Sequence, residues 1–202
     1  YASMLDSPSS THLLGTDDLG RDVFSRLIHG ASASVYAAVL AVSVATVLGV
    51  PVGLIAGYAG GWIDQIISRI LDTFLSFPAI VLAIAVTGVL GIGLTNAMLS
   101  VGIVFAPQLA RLVRARALVL KQELYVEASQ CFGASSGWIL MRHILPNAIQ
   151  PVLVQITLLM AVGLLAEASL SFLGLGMQPP DPSWGSMIAR AYVYAQIAPA
   201  QM

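Results

Sequence analysis

Charged side chains are scarce in this sequence of 202 residues. They make up 9% of it, whereas 57% of the residues are hydrophobic and the mean hydropathy is +0.86. A soluble domain carries about a quarter charged residues, so the polar groups here are too few to cover the surface of a soluble fold. The chain is therefore predicted to be solvated by a lipid bilayer, by other subunits, or by both.

Cysteine, lysine and basic stripes are also scarce, and each shortage excludes a class of protein. The single cysteine, Cys131, excludes an internal disulfide and fits no zinc or redox spacing. A net charge of −1 argues against nucleic acid as a partner. The single lysine, Lys121, lies outside any glycine-rich phosphate-binding motif. We therefore predict that the chain is not an enzyme, with no catalytic, cofactor-binding or metal-ligating residues.

Long runs without Asp, Glu, Lys or Arg predict membrane-spanning helices, since a helix needs about 20 apolar residues to cross a hydrocarbon core of roughly 30 Å. Such runs lie between Arg26 and Asp64 and between Asp72 and Arg111. The second run is too long for one crossing, and "GIGLTN" at residues 91–96 supplies turn residues that divide it. The predicted spans are about 35–58, 73–91, 96–117 and 146–169.

The positions of Lys and Arg orient these spans, because cytoplasmic loops carry an excess of both. Most of the nine basic residues fall on one side of the predicted bundle. They are Arg69, Arg111, Arg114, Arg116, Lys121 and Arg142. That side is predicted to be cytoplasmic, with a loop at about 118–145, while segments 1–30 and 170–190 lie outside. Both chain ends then lie outside, so a further span upstream is expected.

The polar loop between the third and fourth predicted spans interrupts the apolar sequence. Three apolar residues at helical spacing predict a short amphipathic helix: Leu124, Ala128 and Cys131. Polar neighbours such as Glu127 are expected to face elsewhere, and Gly133 is expected to end the helix. A serine at 135 or 136 is expected to cap a second helix. Pro146 suits the first turn of the fourth span, because its missing N–H would be unsatisfied there anyway.

On the residues alone, this loop is an amphipathic connector among lipid headgroups or a docking surface. A motif favours the docking surface: "EAS" at 127–129, Gly133 and "ILP" at 144–146 resemble the EAA loop of bacterial ABC importer permeases. Ser129 stands where the motif has a second alanine, and His143 where the generic pattern has isoleucine. The residues that the resemblance implies for contact with an ATPase are Glu127, Ala128, Ser129, Gly133, Ile144, Leu145 and Pro146.

Two further blocks narrow the resemblance. "HLLGTDDLGRDVFSRLIHG" at 12–30 resembles the segment before the second span in permeases for dipeptides, oligopeptides and nickel. "ASLSFLGLGMQPPDPSWG" at 168–185 resembles the outer loop after the fifth span in the C-type partner of those permease pairs. The implied fold is all-α: a polytopic transmembrane bundle of the type I ABC importer permease kind. The chain is expected to lack the first and most of the last of six spans.

The resemblance also implies a function. The chain would form the transmembrane pathway of an ATP-driven importer of dipeptides or oligopeptides in the bacterial inner membrane, where closure of the ATPases drives alternating access. The implied partners are a homologous second permease, two cytoplasmic ATPases that bind ATP and Mg²⁺, and an external solute-binding protein. A nickel importer of the same family is one alternative. A proton-coupled secondary transporter is another, although it would need ionisable residues near the membrane midplane.

Glu167 is the only acid inside a predicted crossing, near the outer end of the fourth span. An intramembrane carboxylate is a functional candidate by default, as a proton relay or a cavity ligand. Its position near the end of the span favours another interpretation: a carboxylate at interface depth, hydrogen-bonded to Ser169, Ser171 or a neighbouring helix.

Two other features have structural interpretations that we favour. The cluster of Asp17, Asp18, Arg21 and Asp22 could hold a cation or seat a binding protein, but acids near a helix start more often cap it. The glycine-rich stretch at residues 47–61 predicts close helix packing rather than a hinge.

Overall fold

The computed structural model describes residues 4–194, and helices make up almost all of its regular structure. Over these residues there is no β-strand, only an isolated bridge between Thr16 and Asp22. The helices are α1 (Val23–Ala59), α2 (Gly61–Leu75), α3 (Ala79–Leu90), α4 (Leu94–Leu120), α5 (Leu124–Cys131), α6 (Ser136–Ile139), a π-helix (Leu140–Ile144), α7 (Leu145–Phe172) and α8 (Trp184–Tyr194). The predicted all-α class is confirmed.

Three helical stretches within the described part of the chain are long and apolar enough to cross a membrane. They are Val23–Ala59, Leu94–Leu120 and Ser136–Phe172, the last of which joins α6, the π-helix and α7. They contain the segments predicted as spans at 35–58, 96–117 and 146–169, and each helix extends past its predicted span at both ends.

Over the predicted span at 73–91 the structure has two helices rather than one continuous helix, and the pair together is long and apolar enough to form a broken span. Here α2 and α3 are bent by 93° about a break at residues 76–78. The 12 residues of α3 measure about 18 Å at 1.5 Å per residue, short of a hydrocarbon core of roughly 30 Å. Pro78 explains the break, because it lacks an N–H and disfavours helical conformation in the residue before it.

The predicted turn between α3 and α4 is present. Gly91 and Gly93 have φ of +97° and +143°, a region that favours glycine. The side-chain amide of Asn96 closes the turn by donating to Leu90 O at 2.9 Å. The sequence therefore located this connection correctly.

The chain divides into two compact units. Of the described residues, the first unit takes in 4–40, 84–100 and 162–194, and the second takes in 41–83 and 101–161. Glu167 belongs to the first unit, and the EAA-like loop belongs to the second.

The core of the second unit includes part of the polar loop. Its buried members are Leu54, Leu109, Val113, Ala117, Val126, Ile139, Ile144 and Val152. Val126, Ile139 and Ile144 come from α5, α6 and the π-helix, whereas the others come from α1, α4 and α7. The loop is therefore folded onto the long helices by apolar burial rather than lying free of them.

Glycines at every fourth position of α1 bring that helix close to α4 in the second unit. A Cβ at Gly49 would lie 2.6 Å from Ala106 O, and one at Gly57 would lie 2.6 Å from the Cβ of Ala117. Real Cβ atoms do not approach so closely, so only glycine fits at this helix separation. The predicted close packing is confirmed, here against a helix of the same chain.

Candidate functional site

The short helix α5 is anchored by a single apolar side chain. Val126 is fully buried in the core of the second unit. The helix starts after Glu123, whose backbone is extended (φ −74°, ψ 139°) and whose carbonyl accepts the N–H groups of Val126 at 2.9 Å and Glu127 at 3.2 Å. A helix of eight residues is thereby fixed in position, although most of its surface is exposed.

The outward face of α5 differs from the predicted one. Leu124, Glu127, Ala128 and Cys131 lie at i, i+3, i+4 and i+7, which is one helix face, and all four are exposed. Leu124 is 80% exposed. The sequence pattern predicts that Glu127 faces away from these apolar residues. Instead Val126 fills the core, so Glu127 shares the outward face with Ala128.

The turn after α5 follows the prediction. Gly133 has φ +79°, with no atom within 4 Å of where a Cβ would stand, so backbone conformation rather than crowding favours glycine. The N–H of Ala134 closes the turn on Ser129 O at 3.0 Å. Ser135 then caps α6 by accepting the N–H of Trp138 at 3.4 Å. The predicted stop and cap are both confirmed.

The joint between α6 and α7 is continuous. The N–H of Leu145 bonds to Leu140 O, five residues back, which is the π-helical pattern. The predicted fourth span therefore does not start as a separate helix at Pro146 but continues from α6 through the π-helix. Pro146 cannot donate to the carbonyl of Arg142 four residues back, and its ring would crowd that carbonyl in a regular α-helix. The wider π-turn accommodates the proline without ending the helix.

The two positions at which this loop departs from the generic motif contact each other. Ser129 Oγ lies 3.1 Å from His143 Nε2 and donates its own hydrogen to Tyr125 O at 2.7 Å. Because a hydroxyl has one hydrogen, Nε2 must carry the hydrogen of the Ser129–His143 bond. The His143 ring also packs edge-on against Trp138, with centroids 4.9 Å apart. These contacts tie α5 to the π-helix.

The predicted site residues fall into two groups. Ile144 is fully buried, and Leu145 is partly buried against the same core. Glu127 and Ala128 are exposed on the outward face of α5, and Pro146 is exposed at the start of α7. The first group anchors the loop, and the second leaves a carboxylate and a small residue open to contact.

Two ion pairs that the sequence did not predict join α2 to α4 in the second unit. Arg114 contacts both carboxylate oxygens of Asp64, with Nη2 to Oδ2 at 2.7 Å. Arg111 pairs with Asp72. In the sequence these arginines indicate only the orientation of the spans in the membrane. No local spacing in the sequence pairs these arginines with their acids, which come together only through the packing of α2 against α4.

Glu167 lies buried in the first unit and is 1% exposed. Its carboxylate accepts a hydrogen bond from Ser171 at 2.7 Å and another from Ser34 on α1 at 3.2 Å. Ser34 in turn accepts the N–H of Trp184 at 3.2 Å. Ser169 instead bonds a carbonyl of its own helix. The predicted hydrogen bonding is confirmed for Ser171 and for a neighbouring helix.

The acidic cluster near the start of α1 organises a turn and caps a helix. Asp22 accepts the N–H of Ser25 at 2.7 Å, and this bond, with one from His12, lowers the pKa of Asp22. Burial raises the pKa of Asp17, but hydrogen bonds from Arg21 outweigh it and the net direction is downward. The capping interpretation is confirmed, and residues 4–194 contain no group of three potential metal ligands.

Long apolar helices joined to a folded polar loop define a polytopic α-helical membrane protein. The family described as "binding-protein-dependent transport system inner membrane component" matches residues 49–200. The chain belongs to this family, as the resemblance of its loop motif predicted.

Curated relatives and solved structures agree with this assignment. The chain is 44% identical over 198 residues to the dipeptide transport system permease protein DppC of Alkalihalophilus pseudofirmus, covering 98% of this chain and 65% of the relative. It is 45% identical over 199 residues to the glutathione transport system permease protein GsiD of Pectobacterium atrosepticum, covering 98% and 66%. The chain thus spans just under two thirds of the length of these relatives.

The fold is similar to a solved transporter. A chain from the inward-facing MetNI methionine ABC transporter aligns with a TM-score of 0.71 and 23% identity, covering 88% of this chain and 85% of that chain. A second crystal form of the same transporter gives a TM-score of 0.70. The predicted permease fold is confirmed.

Proposed function

We propose that this chain is the transmembrane pathway subunit of an ATP-driven importer for dipeptides or oligopeptides in the bacterial cytoplasmic membrane. The relatives named above transport a dipeptide or glutathione, which is itself a peptide. These names favour a peptide cargo over nickel. The observation that carries the proposal is the outward face of α5, where an exposed carboxylate and a small residue stand on a helix with a buried anchor.

The proposed site couples a partner's movement to the long helices. The carboxylate of Glu127 can accept a hydrogen bond or pair with a partner cation, and Ala128 permits close approach of a partner backbone. Val126 and Ile144 place α5 in the same core as α4 and α7. A displacement of α5 is therefore passed to those helices by packed side chains rather than absorbed by a loose loop.

ATP and Mg²⁺ are proposed to bind to two cytoplasmic ATPase subunits and not to this chain. The sequence has no phosphate-binding loop, and its one lysine, Lys121, donates to Tyr58 O at 2.7 Å. The other proposed partners are a homologous second permease and an external solute-binding protein. In this assembly the chain is a passive pathway whose alternating access is driven from the cytoplasmic side.

The test replaces Glu127 by lysine in the assembled importer. Proteoliposomes containing both permeases, the ATPases and the binding protein are supplied with ATP, and uptake of a labelled dipeptide and ATP hydrolysis are measured together. Glu127→Lys should leave hydrolysis and membrane insertion intact while uptake is lost. Glu123→Lys is the matched control, because it makes the same charge change at a position whose side chain makes no capping bond.

Two results would overturn the proposal. Normal uptake by Glu127→Lys would remove the coupling role of α5. Uptake driven by a proton gradient alone, without ATP, would replace the importer with the secondary transporter considered above.

A further inference from the structure

Helix α2 is attached to the second unit by an unusually small apolar contact. All fifteen of its residues are described, and only Leu71 is buried. Its apolar stripe points outward at a spacing of four residues. The stripe consists of Trp62, Ile66, Ile70 and Phe74, which are 38–71% exposed. Ile63 and Ile67, at four-residue spacing before Leu71, are only partly buried, so polar contacts add to a narrow apolar contact.

The polar face of α2 meets a basic face of α4. Asp64 and Asp72 are eight residues apart, about two helical turns, so they share one face of α2. Arg111 and Arg114 are three apart and share one face of α4. Asp64 pairs with Arg114, and Asp72 pairs with Arg111.

The two pairs differ in strength. The side chains of Arg111 and Asp72 are 55% and 56% exposed, so their attraction is screened by water and contributes little. The side chains of Arg114 and Asp64 are 29% and 15% exposed and make two contacts, a geometry that is both more specific and less screened. Ser68 supports the pair by donating to Asp64 at 3.3 Å. Asp64–Arg114 is therefore the stronger of the two ion pairs that attach α2 to α4.

A further contact continues this attachment toward α5. Lys121 directly follows α4 and donates to Tyr58 O at the end of α1, at 2.7 Å. Its ammonium also lies 5.4 Å from the centre of the Tyr58 ring. The end of α1, helix α2 and the segment leading into α5 are thus all joined through the basic residues of α4 and its C-terminal extension.

We propose that Asp64 and Arg114 are positioning residues for α5. They fasten α2 to α4, so that α2 moves as one body with the segment that carries α5, and the exposed stripe of α2 moves with it. This inference rests on the proposed function only in assigning that movement to ATPase contact. The attachment itself is a property of this chain.

A distance measurement tests the attachment. Cys131 is replaced by serine, spin labels are placed at Thr73→Cys on α2 and Gln122→Cys before α5, and their separation is measured by pulsed electron paramagnetic resonance in the complete importer. The separation should be narrowly distributed and unchanged by a non-hydrolysable ATP analogue. Arg114→Gln should broaden it, whereas Arg116→Gln should not. Arg116 is the matched control because it is exposed and lies roughly 200° around α4 from Arg114.

The double variant Asp64→Arg with Arg114→Asp tests whether Arg114→Gln acts by losing the ion pair or by general misfolding. If the attachment is an ion pair, the exchange restores a narrow distribution. A broad distribution in the exchanged variant, no broadening in Arg114→Gln, or a wild-type separation that changes with nucleotide would each overturn the inference.

Transport supplies the functional readout. In proteoliposomes, uptake per ATP hydrolysed should fall roughly tenfold in Arg114→Gln, the change in an equilibrium constant expected from one lost charge-assisted hydrogen bond. Arg116→Gln should retain the wild-type ratio. Normal coupling in Arg114→Gln would contradict the positioning role. The distance measurement does not require transport. If only the proposed function is wrong, the distances will still be as expected, so this outcome can be distinguished from a failure of the attachment.

Discussion

The Ser129 hydroxyl and the His143 imidazole, 3.1 Å apart, join α5 to the π-helix through side chains that replace an alanine and an isoleucine of the generic motif. Taken one at a time, each residue is a departure from the generic motif. Together they are a hydrogen-bonded pair, since the Ser129 hydrogen goes to Tyr125 O and leaves its oxygen to accept from His143. A polar pair thus stands where the generic motif has two apolar side chains.

This pair predicts non-additive mutations. Ser129→Ala leaves Nε2–H of His143 without its acceptor and should lower the free energy of unfolding by about 1 kcal/mol. Ser129→Ala with His143→Ile replaces both partners by apolar groups and should recover part of that loss. Thermal unfolding in detergent compares the parent, Ser129→Ala, His143→Ile and the double variant, with Ser136→Ala as an exposed serine control. Strictly additive effects would show that the two side chains do not interact.

The positive φ of Gly133 predicts that a side chain there costs stability, even though no neighbouring atom would be in contact with its Cβ. A valine there is expected to cost about 1–2 kcal/mol, because L-residues disfavour the left-handed region. Gly133→Val should therefore distort the end of α5 and reduce uptake per ATP hydrolysed in the assembled importer. Gly137→Val is the matched control, since a Cβ at either glycine meets no atom within 4 Å but Gly137 lies in α6. Equal coupling in the two variants would contradict the prediction.

Much of this architecture follows from local sequence patterns. Uncharged runs located the long helices, and turn residues located the connection at 91–96. Gly133 and Ser135 marked the end of α5 and the start of α6, because φ preference and side-chain capping act within a few residues. The loop motif led to the correct family for the same reason, since its spacing is contained in a short stretch.

The errors concern relations between segments that composition does not encode. The uncharged run at 73–91 did not indicate the break at Pro78, because hydropathy does not depend on whether a residue has a backbone N–H. Val126 rather than Leu124 is the buried residue of α5, and this follows from a core formed by helices that are distant in the sequence. Likewise, Arg111 and Arg114 indicated orientation by their charge alone, whereas their partners on α2 follow from the tertiary fold.

The glycine contacts between α1 and α4 predict opposite effects of one substitution at two sites. Gly49→Ala places a methyl group 2.6 Å from Ala106 O and should destabilise the protein by forcing the helices apart. Gly88→Ala, in α3 with open space around it, should be neutral or stabilise by about 0.5–1 kcal/mol through helix propensity. Thermal unfolding of the two variants measures the contrast. Stabilisation by Gly49→Ala would show that the helices are not in such close contact.

Two substitutions of the buried Glu167 distinguish a structural role of its carboxylate from a role in proton transfer. Glu167→Leu removes the acceptor for Ser34 and Ser171, and since buried hydroxyls are then left unsatisfied, it should cost roughly 1–3 kcal/mol of unfolding free energy. Glu167→Gln keeps an oxygen for Ser171 and can donate its N–H₂ to the second lone pair of Ser34, so that only the Ser34 hydroxyl hydrogen loses its acceptor. Its stability should therefore remain near that of the parent.

Transport by Glu167→Gln separates the two roles, because an amide can still hydrogen-bond to both serines but cannot take up and release a proton as a carboxylate does. If Glu167 holds the start of α8 against α1 through Ser34, Glu167→Gln should import the labelled dipeptide at close to the parental rate, and Glu167→Leu should fail in proportion to its lost stability. Ser169→Ala, which removes only a bond within α7, is the control for packing in the same helix turn. Loss of uptake in a stable Glu167→Gln protein would contradict a purely structural role for this carboxylate.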